Sequence, residues 1–289
     1  MAERFDGTFR HWSLWPCLGV LVALSVYPVL QLVPMAFSTL EIVGGQQTWS
    51  FTPRRNLELL LGDAVLRDSI SNTLVFVVVS VAFEMVLGLF CAIFIACMPR
   101  WRGTARTIMI LPILLPPVAI GSMWKLMYNY DFGLFNQMLR AVGIAPANFL
   151  GSVDWSLMAV VAVDVWHWTP LVFLILFAAV ESLPQDVLEA ARIDGASMWQ
   201  TIRLVILPLL GPALAVAALF RAIAAFKAFD QVYLLTSGGP GTSTELISLH
   251  LNRVFFEQNQ LGYGAMLSLT VICMIAASLS AGRFAAAKR

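Results

Sequence analysis

Glu84, Asp164, His167 and Arg221 are the residues of this chain whose types could do chemistry in an apolar setting. Each lies within or at the edge of a long apolar stretch, where an unpaired charge is expensive and is expected to face a bundle interior or a watery path. Asp164 and His167 stand three apart, on one face of any helix that carries them, a spacing used by metal ligands and acid–base pairs. With Glu84 they would be the working groups of an intramembrane enzyme, but no third metal ligand has a clear position. The plainer reading is hydrogen bonding between helices that holds a bundle together. Glu84 and Arg221 are candidates to pair, although counting from the ends of their stretches puts them about two helical turns apart in depth. The sequence has no GxxxxGK[ST], no HExxH and no GxSxG. "SMWK" (122–125) matches SxxK without its companion motifs, and "GGPG" (238–241) has no following lysine or helix start, so it reads as a turn.

The elements that must hold these groups are membrane spans. Of 289 residues, 59% are hydrophobic and only 12% charged, about half the charged fraction of a soluble domain, so lipid must be the main solvent. The net charge of +1 gives no basic field for nucleic acid. Cys17, Cys91, Cys97 and Cys273 lie in apolar stretches without ligand spacing and read as small buried hydrophobes. A spanning helix needs roughly 20 mostly apolar residues, and six stretches qualify: 13–36, 70–98, 107–124, 157–180, 204–226 and 264–282. The first is too long for the apolar core of a signal peptide and lacks a small-residue cleavage site.

With six spans both termini share one side. That side, made of 1–12, 99–106, 181–203 and 283–289, is denser in Lys and Arg than the other, which places it in the cytoplasm. On the opposite side, "GGQQTWSFTPRRN" (44–56) and "TSGGPGTST" (236–244) read as loops. Residues 129–146 read as a turn followed by a short amphipathic helix with Leu134, Phe135, Met138 and Leu139 on one face. Pro112, Pro116 and Pro117 are expected to kink the third span.

Between the fourth and fifth spans lies "EAARIDGASMWQTIRLVILPLL" (189–210). Ser182 is expected to cap a helix that begins with Pro184, Gln185 and Asp186 and runs to Ile193. Asp194-Gly195 then breaks it, because glycine readily takes the angles that end a helix. A second helical stretch, Ala196 to Arg203, leads into the next span. Two short helices at a glycine elbow, with small alanines at the surface, form a docking knob. An interfacial helix lying on headgroups would carry a basic face, whereas this one sets Glu189 and Asp194 against Arg192.

This segment resembles the EAA signature of permease subunits in ATP-binding-cassette importers, with Glu189, Ala190, Ala191, Gly195, Ile206, Leu207 and Pro208 in the places of its motif residues. Asp194-Gly195-Ala196 fits the fuller "EAA..DGA" form of binding-protein-dependent sugar permeases. "YDFGLFNQML" (130–139), "VWHWTPLVFLILFAAVESLPQDVLEAARIDGAS" (165–197) and "FKAFDQVYLLTSGGPGTSTELISLHLNRVFF" (226–256) look like other parts of the same subfamily, so the resemblance covers roughly 50–282. His167 replaces the usual glutamine and Ala224 a frequent acidic residue.

The resemblance implies an all-α membrane protein of about six transmembrane helices with the type I importer permease (MetI-like) fold. It implies a coupling helix at about 185–201, with Glu189, Ala190, Ala191, Asp194, Gly195 and Ala196 meeting an ATPase subunit. The organisation expected is a cytoplasmic segment and first span over 1–36, an external loop over 37–69, the permease domain over 70–282 and a cytoplasmic tail over 283–289. The implied partners are a second homologous permease, two cytoplasmic ATPase subunits, an external solute-binding protein and the bilayer, with no nucleic acid. ATP and Mg would be bound by the ATPases, and this chain would carry neither cofactor nor catalytic residue nor metal. Glu84, Trp124, Asn129, Asp164, Trp166, His167, Arg221, Lys227 and Asp230 are the candidates for the solute path, the tryptophans as stacking surfaces for sugar rings. The expected cargo is a mono-, di- or oligosaccharide crossing the bacterial inner membrane, with a polyol or glycerol phosphate as the alternative.

Overall fold

A computed structural model of the chain describes residues 5–43, 46–98 and 100–287. It divides into two compact units: residues up to Ala64 together with those from Leu251, and Val65–His250.

The first unit opens with α1 (Phe5–Ala36), which runs through Pro16, Pro28 and Pro34. Its Leu14–Ala36 portion is long and apolar enough to cross a membrane. Two antiparallel strands follow, β1 (Ser38–Val43) and β2 (Gln46–Phe51), with Ser38 opposite Phe51 and Leu40 opposite Trp49. Helix α2 (Pro53–Gly62) begins on a proline at its first position, where the missing N–H costs nothing. Residues 46–51 and 53–56 of the stretch 44–56 are therefore strand and helix, not loop. Thr48, Trp49 and Phe51 supply the β-branched and aromatic residues that a strand accepts. Gly44 and Gly45 lie outside the described residues. Buried Asn56 ties the unit together by donating to the carbonyls of Ala36, 2.8 Å, and Ser38, 3.0 Å. The last helix, α14 (Leu261–Ala287), meets this region at Gly262, where a Cβ would stand 2.1 Å from the Ser38 oxygen. Tyr263 donates to Asp63 at 2.5 Å. The apolar stretch described for α14 is Leu261–Ala277, which takes in 264–277 of the expected span.

The second unit is organised on two long helices, α3 (Ala64–Ala96) and α7 (Val153–Glu181), both long and apolar enough to span. Gly88 of α3 lets the α7 backbone approach: a Cβ there would lie 2.7 Å from a Val172 methyl and 3.0 Å from the Phe173 nitrogen. Small residues at helix crossings serve this purpose in membranes. Ala92 and Ile95 pack there with Val172, Phe173, Leu176 and Phe177, and Ala217 closes the core.

Two spans are broken. Helix α4 (Arg102–Ile110) and a 3-10 turn meet α5 (Pro117–Met127) at 93°, beside Pro116 and Pro117. After α8 (Gln185–Ile193), the run α9 (Met198–Thr201) and α10 (Leu207–Leu209) meets α11 (Gly211–Phe226) at 67°. Among the described residues three helices thus qualify as spans by length and composition, and five if each bent pair crosses once.

The remaining helices are α6 (Leu134–Ala141), α12 (Asp230–Leu235) and α13 (Ile247–Asn252). Helix α6 stands where the amphipathic helix was expected, but Leu134 and Met138 are exposed and Asn136 is the buried residue. Asn136 accepts from the Ala147 nitrogen at 2.8 Å and donates to its oxygen at 3.0 Å. The 236–244 turn region is knitted to both long helices. Asn72 donates to Thr242 and Glu245 carbonyls, Thr242 donates to Asp68, and Ser243 pairs with Ser156. The four cysteines are free, but Cys17, Cys97 and Cys273 are exposed and Cys91 half-buried, not buried as expected. An apolar stretch in a membrane protein has two apolar neighbours, core and lipid, and composition does not distinguish them.

Candidate functional site

The elbow is built by local rules. Helix α8 runs from Gln185 to Ile193 as the sequence indicates, but its N-cap is Pro184. Ser182 instead ends α7 and donates to the Ala179 carbonyl at 2.8 Å, because α7 extends to Glu181 and leaves Ser182 on its last turn. At the other end Gly195 has φ +74°, a region costly to any residue with a Cβ. Its N–H reaches the Arg192 oxygen at 3.1 Å, and the Ala196 N–H reaches the Ala191 oxygen at 3.0 Å. These two bonds are the Schellman closure, which satisfies the orphan carbonyls of a helix end. The second helix does not begin at Ala196. Ser197 caps α9, accepting from the Gln200 backbone while the Gln200 side chain accepts from the Ser197 backbone, 2.7 Å. The Ser-x-x-Gln spacing is the sequence signature of a capping box. Glu189, Ala190, Asp194 and Gly195 are exposed; Ala196 is half-buried and Ala191 buried, so not all the motif alanines are surface.

The polar residues of the spans converge. Arg221 of α11 grips Glu84 of α3 with two donors, Nε to Oε2 at 2.5 Å and Nη2 to Oε1 at 2.6 Å. The same Nη2 donates to Asp164 of α7 at 2.9 Å. All three side chains are almost wholly buried. The guanidinium carbon also lies 4.8 Å from the ring centre of Trp168, one turn beyond Asp164 on α7. Among the described residues Arg221 Nη1 has no hydrogen-bond partner. Counting from span ends misjudged the depths of Glu84 and Arg221, because the 67° break before Gly211 resets the depth of everything after it. His167 does not join Asp164. It is hydrogen-bonded through Nδ1 to the Gln231 amide of α12, a residue that no local signal marks.

The other path candidates divide. Trp124, Tyr128, Phe135 and Trp166 form an aromatic core, with Trp124 ring centres 5.4, 5.6 and 5.5 Å from the other three, so the faces of Trp124 are engaged by neighbours. Trp166 also lines a cleft of about 710 Å³ with Phe83, Leu87, Met109, Met158 and Val165. Asn129 accepts from the backbones of Asp131 and Phe132 and so sets a turn. Lys227 and Asp230 are exposed, at the end of α11 and the first turn of α12. The geometry thus supplies an exposed protrusion with a hydrogen-bonded turn and a buried polar knot that joins the helices on either side of it.

Comparison with known proteins finds a match to the family described as "Binding-protein-dependent transport system inner membrane component" over residues 84–287. The trehalose/maltose transport system permease protein MalF of Thermococcus litoralis is 40% identical over 216 residues, 73% of each chain. The lactose transport system permease protein LacF of Rhizobium radiobacter is 29% identical over 267 residues, 90% of this chain and 88% of that one. A chain of a bacterial alginate ABC transporter, crystallised in complex with an alginate pentasaccharide-bound periplasmic protein, shares the fold with a TM-score of 0.81 at 20% identity. It covers 96% of this chain and 95% of its own.

Proposed function

Because the chain belongs to the family of binding-protein-dependent transport system inner membrane components, we propose that it is the permease subunit of an ATP-driven importer that passes a sugar across the cytoplasmic membrane. The observation that carries the reading is the elbow, an exposed two-helix protrusion whose turn is locked by Gly195 and whose ends run into α7 and α11. The sugar class is supported by relatives named for trehalose, maltose and lactose transport.

The machine would comprise this chain, a second homologous permease, two cytoplasmic ATPase subunits and an external solute-binding protein. ATP and Mg belong to the ATPases, and this chain needs no cofactor or catalytic residue of its own. Closure of the ATPases around ATP would move the 185–201 elbow. Helix α7 enters the elbow and carries Asp164; the chain leaving it becomes α11 and carries Arg221. The knot of Arg221, Glu84 and Asp164 makes α3, α7 and α11 respond as one body, so displacement at the elbow would become rearrangement of the spans. A state is shifted only by a partner that binds it differentially, and the elbow is where that difference would be applied. The polar groups act in this scheme as a strut; Trp166 and the exposed Lys227 and Asp230 stay the candidates for touching solute.

The test is uptake in vesicles containing the full complex, with ATP enclosed with the ATPases and labelled maltose or trehalose offered with loaded binding protein. ATP-dependent sugar uptake is expected. Uptake of a polyol or glycerol phosphate with no sugar would move the chain to that substrate class, and no ATP-dependent uptake of any of these would overturn the reading. In a cysteine-free background, Ser182→Cys and Val142→Cys should label from opposite faces, Ser182 from the cytoplasm. Labelling from one face would remove the proposed orientation.

A further inference from the structure

The motif residues that shape the turn and the exposed apolar bulk of the elbow are different residues. Ala191 is 8% exposed and gives its carbonyl to Ala196, while Gly195 sets the turn. They shape the elbow from within and offer a partner little area. The large side chains standing free are Ile193 at the end of α8, 86% exposed, and Met198 and Trp199 at the start of α9, 61% and 70% exposed. None is part of the EAA..DGA pattern. Exposed apolar side chains are ordinary on the lipid-facing flank of a span, as at Leu204. These three, however, stand in the sequence among exposed Asp186, Glu189, Asp194 and Arg192, with exposed Arg203 one turn beyond Trp199, three acidic groups to two basic. That balance lacks the basic face that anionic headgroups attract and fits a protein surface with an apolar floor and a cationic rim.

We propose that Ile193, Met198 and Trp199 are the anchor by which the ATPase subunit grips this chain, while the carboxylates of the elbow steer and orient it. The inference rests on the elbow reading above. A tryptophan buries on the order of 150–250 Å² when covered, and the residues that dominate interfaces are enriched in tryptophan and sit in desolvated pockets. Rim charges act mainly on association rate and salt dependence. Glu189 is exposed, and a partner's cation beside it would remain in contact with water.

The experiment uses the permease complex in nanodiscs, stripped of its ATPase and titrated with the ATPase subunit recovered with the wild-type chain from its own membranes. Trp199→Ala is expected to weaken binding about 100-fold and Ile193→Ala about 10-fold, with Glu189→Gln under about 10-fold and mostly in the association rate. Trp199→Phe should recover part of the loss. All three positions are at the surface, so elution as a single monodisperse species checks folding. Glu189→Gln weakening binding more than Trp199→Ala would overturn the anchor and leave the elbow reading standing. A Trp199→Ala defect present in nanodiscs but absent in detergent would make Trp199 a membrane anchor and also overturn it. No effect from any of these variants and none from Gly195→Val, or no ATPase recovered with the wild type, would bring down the elbow reading itself.

Discussion

The buried knot and the exposed elbow solve opposite problems with opposite materials. The knot joins Glu84, Asp164 and Arg221 from three helices, the members of its tightest pair standing 137 positions apart in the sequence. Its energy lies in charges that have no alternative partner in an apolar interior. The elbow, within 185–201, is held by backbone bonds between residues three to five apart and by one capping box. Apart from Ser197 and Gln200, which form that box, its exposed side chains do little for the fold. The difference separates two uses of polar residues in one membrane protein: those spent inward on holding helices together, and those left outward for a partner. A substitution in the knot should therefore damage the protein before it damages transport, and one in the elbow should do the reverse.

The largest effect is expected from Arg221→Met. It leaves Glu84 and Asp164 buried without their cation, and removing one partner of a buried ion pair costs about 3–5 kcal/mol. The thermal midpoint of the purified chain, followed by tryptophan fluorescence, should fall steeply, or the protein should fail to accumulate. An unchanged midpoint would erase the contrast with the elbow. Gly195→Val comes next. A β-branched residue forced to positive φ costs of order 1–3 kcal/mol, confined to a turn in which Gly195 itself is exposed. The midpoint should move little while stimulation of ATP hydrolysis by loaded binding protein is lost. Wild-type stimulation with a lowered midpoint would assign Gly195 to stability and not to coupling. The smallest effect is expected from Glu181→Gln, which removes the exposed pair with Arg102 at 2.8 Å. Exposed pairs contribute roughly 0.2–1 kcal/mol, so the shift should be slight and should vanish at high salt. A shift that persists in high salt would mean that the pair is more than a surface contact.

What could be read beforehand follows the same division. Helix α8, the glycine break and the proline-rich interruption after Ile110 are properties of neighbouring residues, and short stretches of sequence carry them. The types of Glu84, Asp164 and Arg221 announced that they must be satisfied, but not by whom at what depth, since a 67° break upstream of Arg221 is invisible to counting. Gln231 had no mark at all, because its role depends on α12 folding back to His167. The β1–β2 pair was hidden by its glycines and by Thr, Gln and Ser at alternate positions, which resemble a loop in composition and a strand only in pairing. Ser182 ends α7 and does not start α8, because a serine can end one helix as readily as it starts another.

The stitching of residues 242–247 to the start of α3 has a consequence for how the protein is made. Asn72 bonds to Thr242 across 170 residues, and Asp68 and Thr73 reach their partners across 174. At a synthesis rate of about 5–20 residues per second, α3 waits roughly 10–30 s for the segment that completes it. Over that interval its polar residues at 68–73 must rest in water, in the headgroup layer or in the insertion machinery. The second unit is thus closed late in translation, and a chain cut short before residue 242 lacks the fastening, whatever spans it already contains.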